Sequence, residues 1–263
     1  MKNHIQCTLN HALRLLAIAA IGLSTSCKYD NFVEGTYPDA AVYLPAAVSG
    51  VYNVSTVAAT GAVRYAVDVN AKKFNIPLGV VRSGITTSGD LSANLVANND
   101  TINKMIAEGK LVNTELLAAA NYTIPTSATA ESGKDVAPFL IAVNLDFLRS
   151  NPTKKFAIGV TIASSSTGVN PRLQTAIIVI DAQIVKPTAA FTSKVETKKV
   201  TFTNISTYGI SYVWNFGDGS AVSNAANPIY NYTNAGTYTV KLTTTGITGS
   251  LDAVTKEMTV TVL

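Results

Sequence analysis

The chain predicts an all-β protein made of two β-sandwich domains in tandem, the first with a short helical insertion. Period-two alternation recurs in Tyr65, Val67, Val69 and again in Phe74, Ile76, Leu78, Val80, the pattern of strands with one buried face. Charged residues make up only 14% of the chain, against about 25% in an ordinary domain. Serine, threonine, asparagine and alanine take their place, which suits exposed β-structure better than long surface helices. Pro187 separates two runs of short strand-like segments, and a proline lacks the donor a central strand needs.

The N-terminal residues read as a leader. Lys2 and Arg14 precede an apolar stretch from Leu15 to Leu23, followed by Ser24-Thr25-Ser26-Cys27, the order of a secretory signal. The apolar stretch is far shorter than the roughly 20 residues that span a bilayer. The small residues before Cys27 resemble the lipobox of bacterial lipoproteins. Leu23, four positions before the cysteine, resembles the looser form used by Bacteroidetes. Lys28-Tyr29-Asp30, with Glu34 beyond, resembles the charged tether that sends such lipoproteins to the cell surface. The resemblance implies a signal peptide over 1–26, a tether over 27–41, lipid attachment at Cys27, and residence on the outer membrane at the cell surface. Acyl chains each contribute about 0.8 kcal/mol per buried methylene, so two or three hold firmly.

Cleavage before Cys27 would also remove Cys7 and both histidines, His4 and His11. The remaining chain has no histidine and one cysteine, so each domain must stand on its own core without a disulfide. Losing Lys2 and Arg14 leaves 18 basic against 16 acidic residues, a balance that argues against nucleic acid as a partner. Without imidazole there is no Ser–His or Cys–His pair and no histidine ligand for zinc. A glycosidase needs only two carboxylates, yet the six glutamates and ten aspartates are scattered, and no phosphate-binding glycine loop occurs. The expectation is a protein without catalysis, cofactor or metal.

Structure is expected to begin at Val42-Tyr43-Leu44 and to continue through strands at 91–96, 122–125, 139–145, 156–163 and 175–180, making a domain over 42–185. Asp100 to Ala120 breaks the pattern, with Ile102, Met105, Ile106, Leu111, Leu116 and Leu117 set among Lys104, Glu108, Lys110 and Glu115. That spacing predicts one or two short helices, capped by Asp100 or Thr101 and ended by Gly109. Met105 and the leucines form their packing face.

Residues 187–263 carry Val200-Thr201-Phe202-Thr203-Asn204, then Tyr212-Val213-Trp214-Asn215-Phe216-Gly217-Asp218-Gly219, then Asn227-Pro228 with Tyr232, then Ala235-Gly236-Thr237-Tyr238-Thr239-Val240. In order and spacing they resemble a PKD domain, a β-sandwich module. Asn215 stands where that family usually has aspartate, and Tyr230 where it often has histidine. Trp214 and Phe216 are read as core, and Gly217 and Gly219 as turn residues around Asp218. Asp218 is the one calcium candidate, a single carboxylate where calcium takes six to eight oxygens. Residues 42–185 resemble the N-terminal domain of unknown function found in Bacteroidetes surface lipoproteins of glycan-utilisation systems. The resemblance rests on Val42-Tyr43-Leu44-Pro45, Asn121-Tyr122-Thr123-Ile124-Pro125, and Phe156–Ile162 leading into Gln174–Ile180. It implies an immunoglobulin-like sandwich. Asp100-Thr101-Ile102 also resembles a three-residue signal for O-glycosylation, which would modify Thr101.

Together these resemblances imply a carbohydrate-binding accessory of a polysaccharide-uptake system. Its partners would be extracellular polysaccharide and outer-membrane importer components, in addition to the membrane. The alternative is a structural spacer or adhesion protein without glycan specificity. Sugar platforms are commonly aromatic rings, and Tyr52, Tyr208 and Tyr230 are the candidates because they lie near predicted turns.

Overall fold

The computed structural model describes residues 40–55, 63–84 and 88–263; the expected leader, Cys27 and all but the last two residues of the expected tether lie outside them, and Ala41, expected in the tether, opens the first strand. The first sandwich contains, in chain order, β1 (Ala41–Tyr43), β2 (Val51–Asn53), β3 (Ala66–Asp68), β4 (Lys73–Arg82), β5 (Leu91–Ala97) and helix α1 (Asn99–Ala107). It continues with β6 (Thr114–Leu116), β7 (Tyr122–Thr123), β8 (Ser127–Ala130), β9 (Val136–Asn144), helix α2 (Leu145–Ser150), β10 (Lys155–Ser165), β11 (Gly168–Val169) and β12 (Thr175–Asp181). One sheet runs β11-β1-β4-β9-β7, with β3 also on β4, and the other runs β2-β12-β10-β5-β8, with β6 on β10. Phe74, Ile76 and Ile141 of the first sheet meet Leu95, Ile158 and Ile178 of the second in one core.

The two sheets differ in what covers their outer faces, and the sequence pattern follows. β4 and β9 alternate buried and more exposed residues along most of their length. β10 and β12 instead carry unbroken buried runs, as strands covered on both faces do. Their cover is α1 with the segment after it, where Ile102 and Leu111 pack on Ala157, Ile177 and Val179. Gly159 makes the approach feasible. A Cβ there would run into the Asn98 carbonyl, while the Asn98 N–H donates to the Gly159 carbonyl at 2.9 Å.

The helical insertion is shorter than the spacing predicts, and its cap is a different residue. Asn98, not Asp100 or Thr101, caps α1, its Oδ1 accepting the Thr101 N–H at 3.0 Å. β5 ends at Ala97, so the helix starts directly from the strand and the capping position falls earlier. Gly109, at φ +69°, follows the helix end as expected. Residues 114–116 are not helical. They pair in parallel with Lys155–Ala157 of β10, a tertiary partner that overrides local propensity.

The second sandwich consists of β13 (Phe191–Glu196), β14 (Lys199–Asn204), β15 (Ser211–Asn215), β16 (Ile229–Asn231), β17 (Gly236–Gly246) and β18 (Gly249–Val262). Its sheets are β13-β14-β16 and β15-β17-β18. Trp214 is fully buried with Phe202, Val240 and Leu242, and its indole N–H donates to the Ala225 carbonyl at 2.9 Å, satisfying the polar edge of a core ring. Gly217 sits at φ +80°, against the Thr239 carbonyl, where a side chain would be both strained and obstructed.

The two sandwiches fall within one compact unit, joined through the β17–β18 hairpin. Ile247 packs against the first core. Thr248, 2% exposed, donates its hydroxyl to the Val185 carbonyl at 3.4 Å. The missing Cβ of Gly246 leaves room for the Pro187 ring. Arg149 of α2 reaches Asp252 of β18 through two hydrogen bonds.

Candidate functional site

Among the described residues singled out by sequence, the structure brings one pair together. Tyr230 donates its hydroxyl to Asp218 Oδ2 at 2.6 Å, and Asp218 Oδ1 accepts the Ser220 N–H at 3.1 Å. Burial pushes the Asp218 carboxyl up, but the bonds from Tyr230 and Ser220 outweigh it and hold the group below its ordinary value. The same bond to Asp218 is the main cause that raises Tyr230. Both oxygens of Asp218 therefore serve the turn. Among the described residues no group of three or more His, Cys, Asp or Glu is placed to hold a metal.

Each of the three tyrosines proposed as sugar platforms has a neighbour in the structure. The Tyr230 ring stacks on Phe216 with centroids 3.8 Å apart and planes 11° apart. It is one rung of an aromatic ladder that continues through Tyr232 to Tyr238. Tyr52 lies in the first sandwich with the Arg64 guanidinium 4.5 Å from its ring centroid. Tyr208 lies at the joint, at φ +55°, with its hydroxyl donating to Gln183 Oε1 at 3.2 Å. Thr101 sits in the first turn of α1, half-buried.

A different surface has the concavity that a ligand needs. On the outward face of the first sheet, β4 and β9 set Lys73 opposite Asn144, Asn75 opposite Ala142, Pro77 opposite Leu140, Gly79 opposite Pro138 and Val81 opposite Val136. Leu140 is 54% exposed. Pro77 falls between the stretch of β4 that pairs with β3 and the stretch that pairs with β1. Pro138 lies where β9 is paired by β4 alone. Each proline thus stands where no ladder donor is required.

An open hollow of about 520 Å³ lies beside this apolar stretch, lined by Pro77, Leu78, Pro125, Pro138, Phe139 and Leu140 with Ser127. At the other end of the same strands a second hollow of about 290 Å³ is polar at its rim, where Lys72, Lys73, Asn121, Thr123, Asn144 and Asp146 gather. Lys72 Nζ is 2.9 Å from Asp146 Oδ2, and Arg149 Nη1 is 3.1 Å from Asp146 Oδ1. Asp146 is held below its ordinary value chiefly by the Lys72 bond, with Arg149 adding to it against the opposing effect of burial. Sequence reasoning missed this face because it followed the inward-facing residues. The usable signal was the outward set in the same strands, where Pro77, Gly79 and Val81 replace the polar residues usual on a solvated face.

The geometry defines a class: a tandem β-sandwich protein whose candidate site is an open sheet face. Residues 181–262 match the model of the PKD domain, and residues 37–169, half of the chain, match the model of a family described as an N-terminal domain. The chain belongs to that N-terminal-domain family and carries a PKD domain after it. A curated relative, the pre-pro-metalloprotease PrtV of Vibrio cholerae serotype O1, is 32% identical over 136 residues. The match takes in 50% of this chain and only 12% of that relative's length. The crystal structure of the PKD1 domain of PrtV is 41% identical, covering 29% of this chain and 96% of that one, with a TM-score of 0.27. An auxiliary nutrient binding protein from Bacteroides thetaiotaomicron is similar at 16% identity over 68% of this chain and 54% of that one, with a TM-score of 0.35.

Proposed function

We propose that this chain is a non-catalytic carbohydrate-binding accessory of a polysaccharide-uptake system, held at the outer surface of the cell by lipid on Cys27. One observation carries the reading: the outward face of the first sheet offers an apolar shelf around Pro77, Pro138 and Leu140 that runs into a rim of amides, hydroxyl and ammonium groups. A pyranose ring has the same two characters, C–H faces and a hydroxyl edge. Binding hollows combine apolar walls with a few placed polar groups for that reason. Along the strand, the nine residues from Lys73 to Val81 extend roughly 26 Å, long enough for several rings of an extended chain. The absence of histidine after residue 26 supports the non-catalytic part of the reading.

The test is affinity electrophoresis of the full chain through gels containing individual polysaccharides. Retardation by a polysaccharide supports the reading, and unchanged mobility in every gel contradicts it. A second reading, a spacer that holds its partners at a fixed distance, is favoured by the joint. There Arg149 and Asp252 fasten one sandwich to the other. Unchanged mobility in every gel, with a joint that stays closed, would favour the spacer.

A further inference from the structure

We infer that the smaller hollow, at the Lys73 end of the first sheet, takes a carboxylated sugar, so that the polysaccharide recognised is an acidic one. The inference rests on the carbohydrate-binding reading above and names its ligand class. Ala71, Ala120 and Ala142 are among the residues that line the hollow, and their short side chains occupy little of it.

Charge at the rim is unbalanced. Lys72 pairs with Asp146, Asp146 also pairs with Arg149, and Arg149 is taken by Asp252. That run of alternating charges satisfies its own members. Lys73, opposite Asn144 across the ladder, forms no ion pair among the described residues. Asp68, its partner in β3, accepts the Ala71 N–H at 2.8 Å in the turn between the strands. One lysine without an ion pair therefore lines the hollow beside Asn121, Thr123 and Asn144, whose amide and hydroxyl groups suit a sugar's hydroxyls.

Lys72, the neighbour of Lys73, is committed to the turn. Lys72 lies at φ +55°, a conformation in which glycine or asparagine is at ease and a long side chain is not. Its carbonyl accepts the Leu145 N–H at 3.0 Å, which fixes the turn against α2. Its ammonium is held by Asp146 at 2.9 Å, which leaves Lys73 as the cation open to a ligand. Apolar C–H faces farther along the chain would rest on Leu140 and Pro77, one cross-strand pair beyond Ala142 and Asn75.

The experiment runs the full chain through gels containing polygalacturonate, alginate or hyaluronan, their carboxyl-reduced counterparts, and a set of neutral polysaccharides. The expected result is retardation by at least one acidic polymer, abolished by carboxyl reduction and diminished by added salt. Lys73→Gln should weaken it about tenfold, and Lys73→Arg should largely restore it. The exposed position of Lys73 keeps both variants folded, which an unchanged melting temperature verifies. Retardation by neutral polymers alone, or equally by an acidic polymer and its reduced form, would overturn the inference and leave carbohydrate binding standing. Acidic retardation indifferent to Lys73→Gln would overturn the site. Free mobility in every gel would overturn both readings.

Discussion

Arg149 grips Asp252 across the joint between the sandwiches, Nε donating to Oδ2 at 2.6 Å and Nη2 to Oδ1 at 2.9 Å. A fork of this kind fixes direction as well as distance. The Asp252 side chain is only 8% exposed and that of Arg149 25%, so little water competes for the pair.

Replacing Arg149 with Met should therefore leave a nearly enclosed carboxylate without its cation. The expected cost is about 2 to 3 kcal/mol, concentrated at the joint. Limited proteolysis near Lys186 should accelerate, and small-angle scattering should show a larger maximum dimension. A variant that remains as resistant and as short as the wild type would show that the hairpin packing of Ile247 and Thr248 suffices alone.

Acid should loosen the same joint. Burial pushes the Asp252 carboxyl up, but the bonds from Arg149 and Thr248 and the Arg149 charge outweigh it and hold the group below its ordinary value. A depressed carboxylate contributes stability that is fully present above the unfolded value of about 3.9 and is lost as pH falls through the folded value. Proteolytic sensitivity at the joint should thus be flat above about pH 5 and rise below about pH 4, and Asp252→Asn should remove that dependence.

Tyr230→Phe removes the hydroxyl that Asp218 accepts while keeping the ring stacked on Phe216. The cost should stay below about 1 kcal/mol because the pair is exposed. The clearer readout is the titration of Asp218 by NMR, which should move to higher pH. An unmoved titration would show that Ser220 governs the carboxylate.

Gly159→Ala should place a methyl group against the Asn98 carbonyl and force the start of α1 off β10. Overpacking of this kind costs about 2 kcal/mol, and the melting temperature should fall accordingly.

The architecture was legible where a period is imposed by burial. One-sided burial wrote the alternation of Phe74, Ile76, Leu78 and Val80, and two-sided burial wrote the continuous run from Phe156 to Ile162. Trp214 and Phe216 announced the second core because a ring of that size has few other places in a sandwich. The short elements were harder to read. β6 forms only because β10 offers an edge to Thr114–Leu116, a partner about forty residues away that no local pattern reveals. The candidate site was illegible for a related reason. Lys73 and Asn144 become neighbours through the register of β4 on β9, and register is a property of the paired sheet. Tyr52, Tyr208 and Tyr230 stood out as aromatic residues near turns, and each is engaged by a neighbour.

The most direct measurement is the electrophoretic mobility of the full chain and of Leu140→Asp in a polysaccharide gel that retards the wild type. Leu140 is exposed on the outward face, so the substitution should spare the fold and the melting temperature while a charge displaces the apolar shelf. Retardation of the wild type and its loss in the variant are expected. Equal retardation of both proteins, or no retardation of the wild type by any polysaccharide, would contradict carbohydrate binding on this face.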